Sequence, residues 1–259
     1  MSLKANRKRF TGPPHPDRDR QFCYILKQKS RCLRNLFPVI SIDTKHKVLI
    51  GDFKNPGRIW VRDPIEVNAH DFPQDALCKA VPYGIYDVGR NHGFVHVGIS
   101  SDTSPFAVDS IRQWWLTQGR KQYGQARELL ILADSGGSNG YRPRNFKKQL
   151  QEKIADAFDL KVTVCHFPRG ASKWNPVEHR LLGPISCHWA GIPLRSLELL
   201  LRLIRTTITQ SGLKVSARLT RKTYRTGIRV TDDEMKKINL RKHKVCPQWN
   251  YTIEPHKKE

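Results

Sequence analysis

Residues 128–140 read ELLILADSGGSNG, and this stretch decides the fold class. Its centre, 129–133, is a short continuous apolar run, which is typical of a strand buried on both faces of a sheet. The run ends at Asp134 and is followed by a glycine-rich turn. An acid at the carboxyl end of a buried strand lies where open α/β sheets assemble their ligand sites.

Four other segments have the apolar pattern of strands. The first two are separated by a short polar turn at 44–46, which predicts a hairpin. Three antiparallel strands followed by alternating strands and helices favour a mixed five-stranded sheet flanked by helices, an α/β fold. The expected strands are residues 37–43, 47–53, 93–100, 128–134 and 161–166.

Capping residues predict where the helices begin. Ser104 with Pro105 in the first turn predicts one helix, which Gly119 would end. Asn175 is the expected cap of another helix, with Pro176 as its first residue. Two more helices are expected after Pro143 and Pro193, and their apolar stripes are Phe146, Leu150, Ile154 and Phe158 in the first and Leu197, Leu200, Leu201, Ile204 and Ile208 in the second.

The charge is strongly positive and unevenly distributed. The 259 residues include 46 Lys and Arg against 23 Asp and Glu, a net charge of +23. Residues 1–34 carry +8 and residues 195–259 carry +10, whereas 35–194 carry only +5. This surplus exceeds what solubility requires and favours DNA as a partner, bound by the flanks. Solvated basic faces are the alternative interpretation.

Composition also divides the chain and places it in the cell. Residues 1–34 are expected to form a basic arm or linker, 35–192 the sheet domain with an insertion at about 54–92, and 193–259 a basic extension of helical and strand pieces. No apolar run approaches the roughly 20 residues that cross a bilayer, and the first ten residues lack a signal peptide. We therefore expect a cytoplasmic, nucleoid-associated protein with no membrane partner.

The six cysteines are spread singly, with no C-x-x-C pair. This spacing argues against a disulfide framework and against an ordinary zinc module. Two cysteines, Cys165 and Cys187, are each followed by a histidine. Both pairs lie in apolar stretches, which favours buried core residues over zinc ligands.

Three acids occupy ends of strands or helices where side chains would converge. Asp43 lies on the first strand, Asp134 ends the fourth, and Glu178 lies in the first turn of the helix after the fifth. Three carboxylates can hold two Mg²⁺ or Mn²⁺ ions about 4 Å apart for phosphodiester chemistry. We expect these acids to be both catalytic residues and metal ligands. Each has a structural alternative, as a turn former, a turn cap or a favourable charge at a helix start.

Other acids near strands compete for the first position of this set. They are Asp52, Asp87 and Asp102. Asp43 is preferred because residues 39–42 make it the acid embedded in a buried strand. A charge there is costly unless it binds a metal or a partner.

Long stretches of the chain resemble one known family. The runs GDFKNPGR (51–58), PYGIYDVGRNHGFVHVG (82–98), ADSGGSNG (133–140), VCHFPRGASKWNPVEHRLLGPISCHWAG (164–191) and CPQWNYTIEP (246–255) resemble the Rhodopirellula-type DDE transposase family of bacterial insertion sequences, from about Ala5 to Pro255. The resemblance implies a ribonuclease-H-like catalytic fold and a DDE triad on Asp43, Asp134 and Glu178, separated by 91 and 44 residues. The run NPVE is also similar to the N-P-x-E signature of related mariner-like transposases.

The resemblance implies an activity and partners. The expected reaction is Mg²⁺-dependent phosphodiester hydrolysis and strand transfer at insertion-sequence ends, on element and target DNA, by a homo-oligomer. Relatives usually carry an N-terminal helix-turn-helix, and residues 1–34 do not supply one, so we expect an N-terminally truncated catalytic domain. A structure-selective nuclease of the same fold and a truncated, non-catalytic DNA-binding inhibitor remain open alternatives.

A second set of residues is expected to contact DNA through charge and aromatic stacking. Solvent-facing side chains are the alternative for the basic members, and a staple at a helix start is the alternative for the tryptophan. The set is Arg142, Arg144, Lys147, Lys148, Lys173 and Trp174.

Overall fold

A nine-stranded mixed sheet forms the centre of the protein in this computed structural model, which describes residues 15–257. Its order is β7-β4-β3-β1-β5-β6-β9-β8, and β2 pairs with β3 off this path. The strands are β1 (Val39–Thr44), β2 (Val48–Ile50), β3 (Cys78–Asp87), β4 (His92–Gly98), β5 (Glu128–Ala133), β6 (Lys161–His166), β7 (Lys214–Thr220), β8 (Leu240–Lys242) and β9 (Asn250–Ile253).

The directions of the central strands confirm the expected α/β fold class, although the sheet has nine strands within the described residues and not the expected five. β1, β3 and β4 are antiparallel neighbours, and β5 and β6 then run parallel to β1 with helices between them. This is the mixed, helix-flanked sheet expected of a ribonuclease-H-like fold.

Helices lie on both faces of this sheet. They are α1 (Arg18–Arg34), α2 (Ser104–Trp114), α3 (Arg120–Gln122), α4 (Arg144–Leu150), α5 (Asp156–Phe158), α6 (Gly183–His188), α7 (Leu197–Arg205) and α8 (Asp232–Lys236). π-Helical turns at Trp115–Gly119, Gln151–Ala155 and Glu178–Leu182 connect α2 to α3, connect α4 to α5 and lead into α6. No helix among residues 15–257 is long and apolar enough to cross a membrane.

Side chains of the central strands alternate between two apolar layers, because successive strand residues point to opposite faces. On β5, Leu129, Ile131 and Ala133 pack in the layer that contains α2 and α4. Leu130 and Leu132 pack in the layer that contains α1. Both faces of β5 are therefore covered, which accounts for its continuous apolar sequence.

The predicted hairpin between the first two strands is wrong. β1 lies between β3 and β5, and β2 pairs with β3 instead. β3 itself falls inside the segment expected to be an insertion. Gly84 interrupts its pattern because a Cβ there would lie 2.8 Å from Leu182 Cδ2, so the strand needs glycine where the helical segment beyond Asn175 packs against it.

The basic ends of the chain are also more ordered than expected. Residues 18–34 form α1, which buries Ile25 and Cys32 against the sheet, and the last residues supply three further strands. Residues 1–14 of the expected arm lie outside the described part of the chain. The division into domains at residues 34 and 192 stays a prediction.

Helix boundaries follow the sequence with small differences. Thr103, not Ser104, caps α2, since its Oγ1 accepts a hydrogen bond from the Phe106 amide at 3.4 Å. The helix continues past Gly119 through the π-helical turn. The stripe Phe146, Leu150 and Ile154 is fully buried as predicted.

Candidate active site

Two of the predicted acids lie side by side at the carboxyl ends of β1 and β5. These strands are parallel, and Ile42 pairs with Ala133, so Asp43 and Asp134 follow at the same level. Because strand side chains alternate, both carboxylates point to the face that also carries Ser41. The first two members of the set are therefore brought together by strand register alone.

Glu178 is brought to the same place by a loop that Asn175 fastens to the sheet. Asn175 is completely buried, and its Nδ2 donates hydrogen bonds to Asp134 Oδ1 at 2.9 Å and to the Ile42 carbonyl at 3.3 Å. Its Oδ1 accepts a hydrogen bond from Ser41 Oγ. One amide thus connects both strands that carry the aspartates.

The helical segment begins at Pro176, as predicted. Asn175 occupies the cap position, and its carbonyl accepts the Glu178 amide at 3.1 Å. Its side chain, however, does not cap the helix. Ser41 Oγ takes that role by accepting the Val177 amide at 2.9 Å, so a residue of β1 holds the start of the helix that carries Glu178.

Burial and the mutual repulsion of the acids dominate the electrostatics of the site. The pKa of Asp43 is raised to about 8 by burial, by the charge of Asp134, and by a hydrogen bond with Glu178 and its charge. Burial also raises the pKa of Asp134; the hydrogen bond from Asn175 opposes this, and the charge of Glu178 adds to it. Such mutual crowding is typical of acids that bind cations or perform proton chemistry.

The donor set suits a hard divalent cation. Carboxylate oxygens are the ligands that Mg²⁺ and Mn²⁺ prefer, and the raised pKa of Asp43 reflects burial and neighbouring negative charge, which a cation would neutralise. Within residues 15–257, no group of three His, Cys, Asp or Glu side chains is arranged closely enough to hold a metal ion. The three acids are neighbours through their charges and through the hydrogen bond between Asp43 and Glu178.

A buried histidine supports the backbone at Asp134. His166, at the end of β6, lies with Nδ1 2.9 Å from the Asp134 carbonyl oxygen. Burial lowers its pKa to about 4, so its ring is neutral at pH 7 and donates this hydrogen bond from Nδ1. His166 and Cys165 are both fully buried, in agreement with the core interpretation of that pair, whereas Cys187 and His188 are exposed and the core interpretation of that pair is wrong.

Two of the competing acids are held elsewhere. Asp52 is exposed and paired with Arg195. Asp87 accepts hydrogen bonds from the Tyr123 hydroxyl at 2.9 Å and from the Gly89 and Arg90 amides. Asp102 precedes α2, and its Oδ1 is buried without a hydrogen-bond partner in the described chain.

The residues expected to contact DNA fall into two groups. Arg144 pairs with Asp232 at 2.6 Å, Lys147 donates to the Tyr141 carbonyl at 2.6 Å, and Lys148 pairs with Glu234 at 2.6 Å. These three side chains are engaged within the molecule. The other three, Arg142, Lys173 and Trp174, are exposed, and for all six residues a DNA contact stays a prediction.

Several residues around the acids were not predicted from sequence. They are Ser41, His166 and Lys45, together with the side-chain role of Asn175. Lys45 had a detectable signal, because it lies two residues beyond Asp43 and therefore on the same face. The Ser41–Asn175 contact joins positions 134 residues apart and has no local signature.

Comparison with known proteins agrees with the sequence motifs. Residues 1–255 match the profile of the family described as Rhodopirellula transposase DDE domain. No curated protein matches the sequence significantly.

Solved structures of Mos1 transposase also match the chain. The Mos1 paired-end complex with the left transposon end has 13% identity over 76% of this chain and 56% of that chain, with a TM-score of 0.46. The Mos1 mariner paired-end complex with Mn and a pre-cleavage Mos1 transpososome each have 14% identity over 78% of this chain and a TM-score of 0.43. The chain spans 56 to 64% of the length of these solved proteins.

The family match covers nearly the whole sequence and includes the strands and the loop that bring Asp43, Asp134 and Glu178 together. The protein belongs to the Rhodopirellula transposase DDE domain family.

Proposed function

We propose that this chain is the catalytic domain of a DNA transposase that cleaves insertion-sequence ends and joins them to target DNA. The observation that carries the proposal is the arrangement of the acids. Asp43 and Asp134 lie at the ends of adjacent parallel strands. Asn175 connects the start of the helical segment that carries Glu178 to both strands. Family membership supports the same reaction class.

Asp43, Asp134 and Glu178 would hold two Mg²⁺ or Mn²⁺ ions. When bound, such ions supply activation of a water or hydroxyl nucleophile and stabilisation of the leaving oxygen. Asn175 keeps one oxygen of Asp134 oriented, and His166 fixes the backbone beneath it. Burial of Asn175 and His166 keeps this support rigid, which positions the acids for catalysis.

The reaction has two phosphoryl transfers. In the first, a water oxygen forms a bond to phosphorus and the bond to the 3′-oxygen breaks, which leaves a free 3′-hydroxyl at the element end. In the second, this hydroxyl attacks a target phosphodiester, and the target 3′-oxygen leaves. In both steps the attacking oxygen and the leaving oxygen lie in line with the phosphorus, so one site serves both.

The positive charge of the chain supports DNA as the partner. Exposed Arg142, Lys173 and Trp174 are proposed to contact the backbone and bases. An active homo-oligomer that brings two element ends together and association with the nucleoid belong to the same proposal.

Replacement of Asp134 by Asn tests the assignment. Asp134→Asn keeps the shape of the side chain and removes its charge, so Mg²⁺-dependent cleavage of an element-end duplex should fall by at least roughly 10³-fold. DNA affinity measured by fluorescence anisotropy should stay nearly unchanged. Asp52→Asn is the matched control, because Asp52 forms only an exposed ion pair and its loss should leave cleavage intact.

The outcomes separate the alternatives. Retained cleavage in Asp134→Asn would contradict the assignment of the acids as catalytic residues. Cleavage by the unmodified protein without joining in a labelled strand-transfer assay would favour a structure-selective nuclease. DNA binding without any cleavage in Mg²⁺ or Mn²⁺ would favour a non-catalytic inhibitor.

A further inference from the structure

A cavity of about 470 Å³ is lined by residues 45–49, which lead from β1 into β2 and begin two residues beyond Asp43. Its volume is within the range of roughly 300–1,000 Å³ that ligand sites usually have. Lys45, Ser186 and Trp189 line it together with Phe53 and Asn55, and Asn55 Nδ2 donates a hydrogen bond to the Trp189 carbonyl at 2.8 Å. The predicted catalytic residues themselves do not line it.

Lys45 is held in this wall by contacts from α6 and the residue that follows it. Its Nζ donates a hydrogen bond to Ser186 Oγ and lies 5.3 Å from the centre of the Trp189 ring. The Lys45 amide also donates to the Pro82 carbonyl at 2.9 Å, which fixes the backbone beneath it. The ammonium group is therefore partly buried and fixed in direction, unlike a surface lysine that samples many rotamers.

This ammonium group forms no ion pair with any carboxylate in the described part of the chain. Its neighbours are a hydroxyl and an aromatic face, and Glu178 acts on it only through charge at longer range. A cation withdrawn from water without a counter-ion is unfavourable unless an anionic ligand completes its surroundings. The lysine thus has the properties of a group prepared for an anion.

The other charges of the cavity favour the same kind of ligand. Lys47 and Lys54 add positive charge to its lining, and Asp71 is its one carboxylate. The potential in the cavity is therefore positive, although the adjoining acids are negative. A flexible polyanion can contact both regions when its backbone runs from the cavity towards the acids.

We infer that this cavity binds the DNA nucleotide next to the phosphodiester that is attacked, and that Lys45 contacts its backbone phosphate. The inference rests on the proposed function. Lys45 lies two residues beyond Asp43 on the same face of the chain and is close enough to Glu178 for their charges to interact. A phosphate bound by Lys45 is therefore a neighbour of the one placed at the acids.

A chemical double-mutant cycle tests this contact. Each element-end duplex carries one methylphosphonate, which replaces a charged phosphate by a neutral group. A series of such duplexes places this group at successive positions on both sides of the cut. With the unmodified protein, the methylphosphonate at one of these positions should slow cleavage roughly tenfold or more, since a charged contact is lost. In Lys45→Met that same substitution should have no further effect, because the partner of the phosphate is already absent.

The lysine variant alone has a second readout. Cleavage by Lys45→Met should fall roughly 100-fold, and the slope of log affinity against log salt concentration should decrease by about 0.9, the value for one lost contact with duplex DNA. Lys121→Met removes the same charge from an exposed position on α3 and is the control for cleavage. Ser186→Ala removes the hydroxyl that accepts a hydrogen bond from the ammonium group and donates one to the Leu182 carbonyl, and it should give a smaller loss.

Two results would overturn the inference. The first is cleavage by Lys45→Met within about threefold of the unmodified protein; the second is equal sensitivity of both proteins to every methylphosphonate. If Lys45→Met unfolds, the same cycle with Ser186→Ala decides the question. Absence of cleavage by the unmodified protein, with Asp134→Asn indistinguishable from it, would instead contradict the proposed function.

Discussion

Two partly buried aspartates show opposite environments in the same molecule. The Asp109 carboxylate on α2 accepts hydrogen bonds from Lys153 Nζ at 2.7 Å, Lys222 Nζ at 2.8 Å and the Tyr224 hydroxyl at 3.0 Å. Asp43 has other acids as its neighbours and accepts one hydrogen bond from the Thr44 amide, at 2.8 Å. The first carboxylate is surrounded by donors, and the second is surrounded by negative charge.

The pKa values of the two groups differ in direction for this reason. Burial would raise the pKa of Asp109, but hydrogen bonds from Lys153 and Lys222 and their charges lower it overall. The pKa of Asp43 rises to about 8. An acid paired with cationic donors stabilises the fold, whereas buried acids gathered beside one another are typical of a functional site that binds cations.

The largest effect is expected when the side-chain amide of Asn175, which connects the acids to the sheet, is removed. Asn175→Ala should reduce Mg²⁺-dependent cleavage roughly 100-fold, because Asp134 and the Glu178 loop lose their common support. It should also lower the free energy of unfolding by about 1–3 kcal/mol, since buried partners are left without hydrogen bonds. Cleavage per folded molecule and urea unfolding measure the two effects.

Asn35→Ala is the control for this variant. The Asn35 amide is exposed and donates only to the Arg31 carbonyl, so its loss should change stability by at most about 0.5 kcal/mol. Full cleavage activity in Asn175→Ala would contradict a positioning role for the amide.

A smaller and purely structural effect is expected at the other aspartate. Asp109→Asn removes the charge that holds Lys153 and Lys222, and the free energy of unfolding should fall by about 1–2 kcal/mol. Cleavage per folded molecule should stay within about twofold. Asp233→Asn, at an exposed pair with Lys236, should have almost no effect on stability. A loss of cleavage at unchanged stability would show that Asp109 is not merely structural.

The smallest effect is a change in how stability depends on pH. An unfolded aspartate ionises near pH 4, so between about pH 4 and 8 the folded protein binds more protons at Asp43 than the unfolded chain, and stability falls as pH rises. Asp43→Asn cannot ionise, so in EDTA its stability relative to the unmodified protein should increase as the pH rises from about 4 to about 8, with little difference near pH 4. Thermal unfolding across this range measures the difference.

The sign at Asp109 is opposite, because a depressed pKa gives stability that is present above pH 4 and is lost as pH falls. Mg²⁺ provides a control, since it should raise the Tm of the unmodified protein more than that of Asp43→Asn. Parallel pH profiles for the unmodified protein and Asp43→Asn would contradict the crowding of the acids.

Sequence patterns predicted the parts of the fold that are locally encoded. β5 was predictable because a strand buried on both faces is continuously apolar, and β6 was predictable because valines alternate with other residues along it. β3 was not, because Pro82 and Gly84 look like turn residues, and the need for glycine comes from packing against Leu182, far along the chain. Helix α1 was missed for a similar reason, since its apolar face is narrow and most of its positions are polar or charged.

The candidate site divides in the same way. Asp43, Asp134 and Glu178 could be named because acids at ends of buried strands and helices are unusual in sequence, and their catalytic role stays a prediction. The support around them could not be named. Asn175 looks like an ordinary helix cap, and only the fold brings Ser41 to it and turns its amide towards Asp134.

The contact between Gln21 and Asn250 has a consequence for synthesis. These side chains exchange two hydrogen bonds, at 2.8 and 2.6 Å, across 229 residues, and β9 covers the outer edge of β6. Long-range pairings of this kind form late in folding, and an uncovered strand edge invites association with other chains. On the ribosome, the last contacts of α1 can therefore form only after almost the entire chain has been synthesised. A polypeptide released before residue 250 would carry an open sheet edge, and degradation or aggregation would be its fate rather than DNA cleavage.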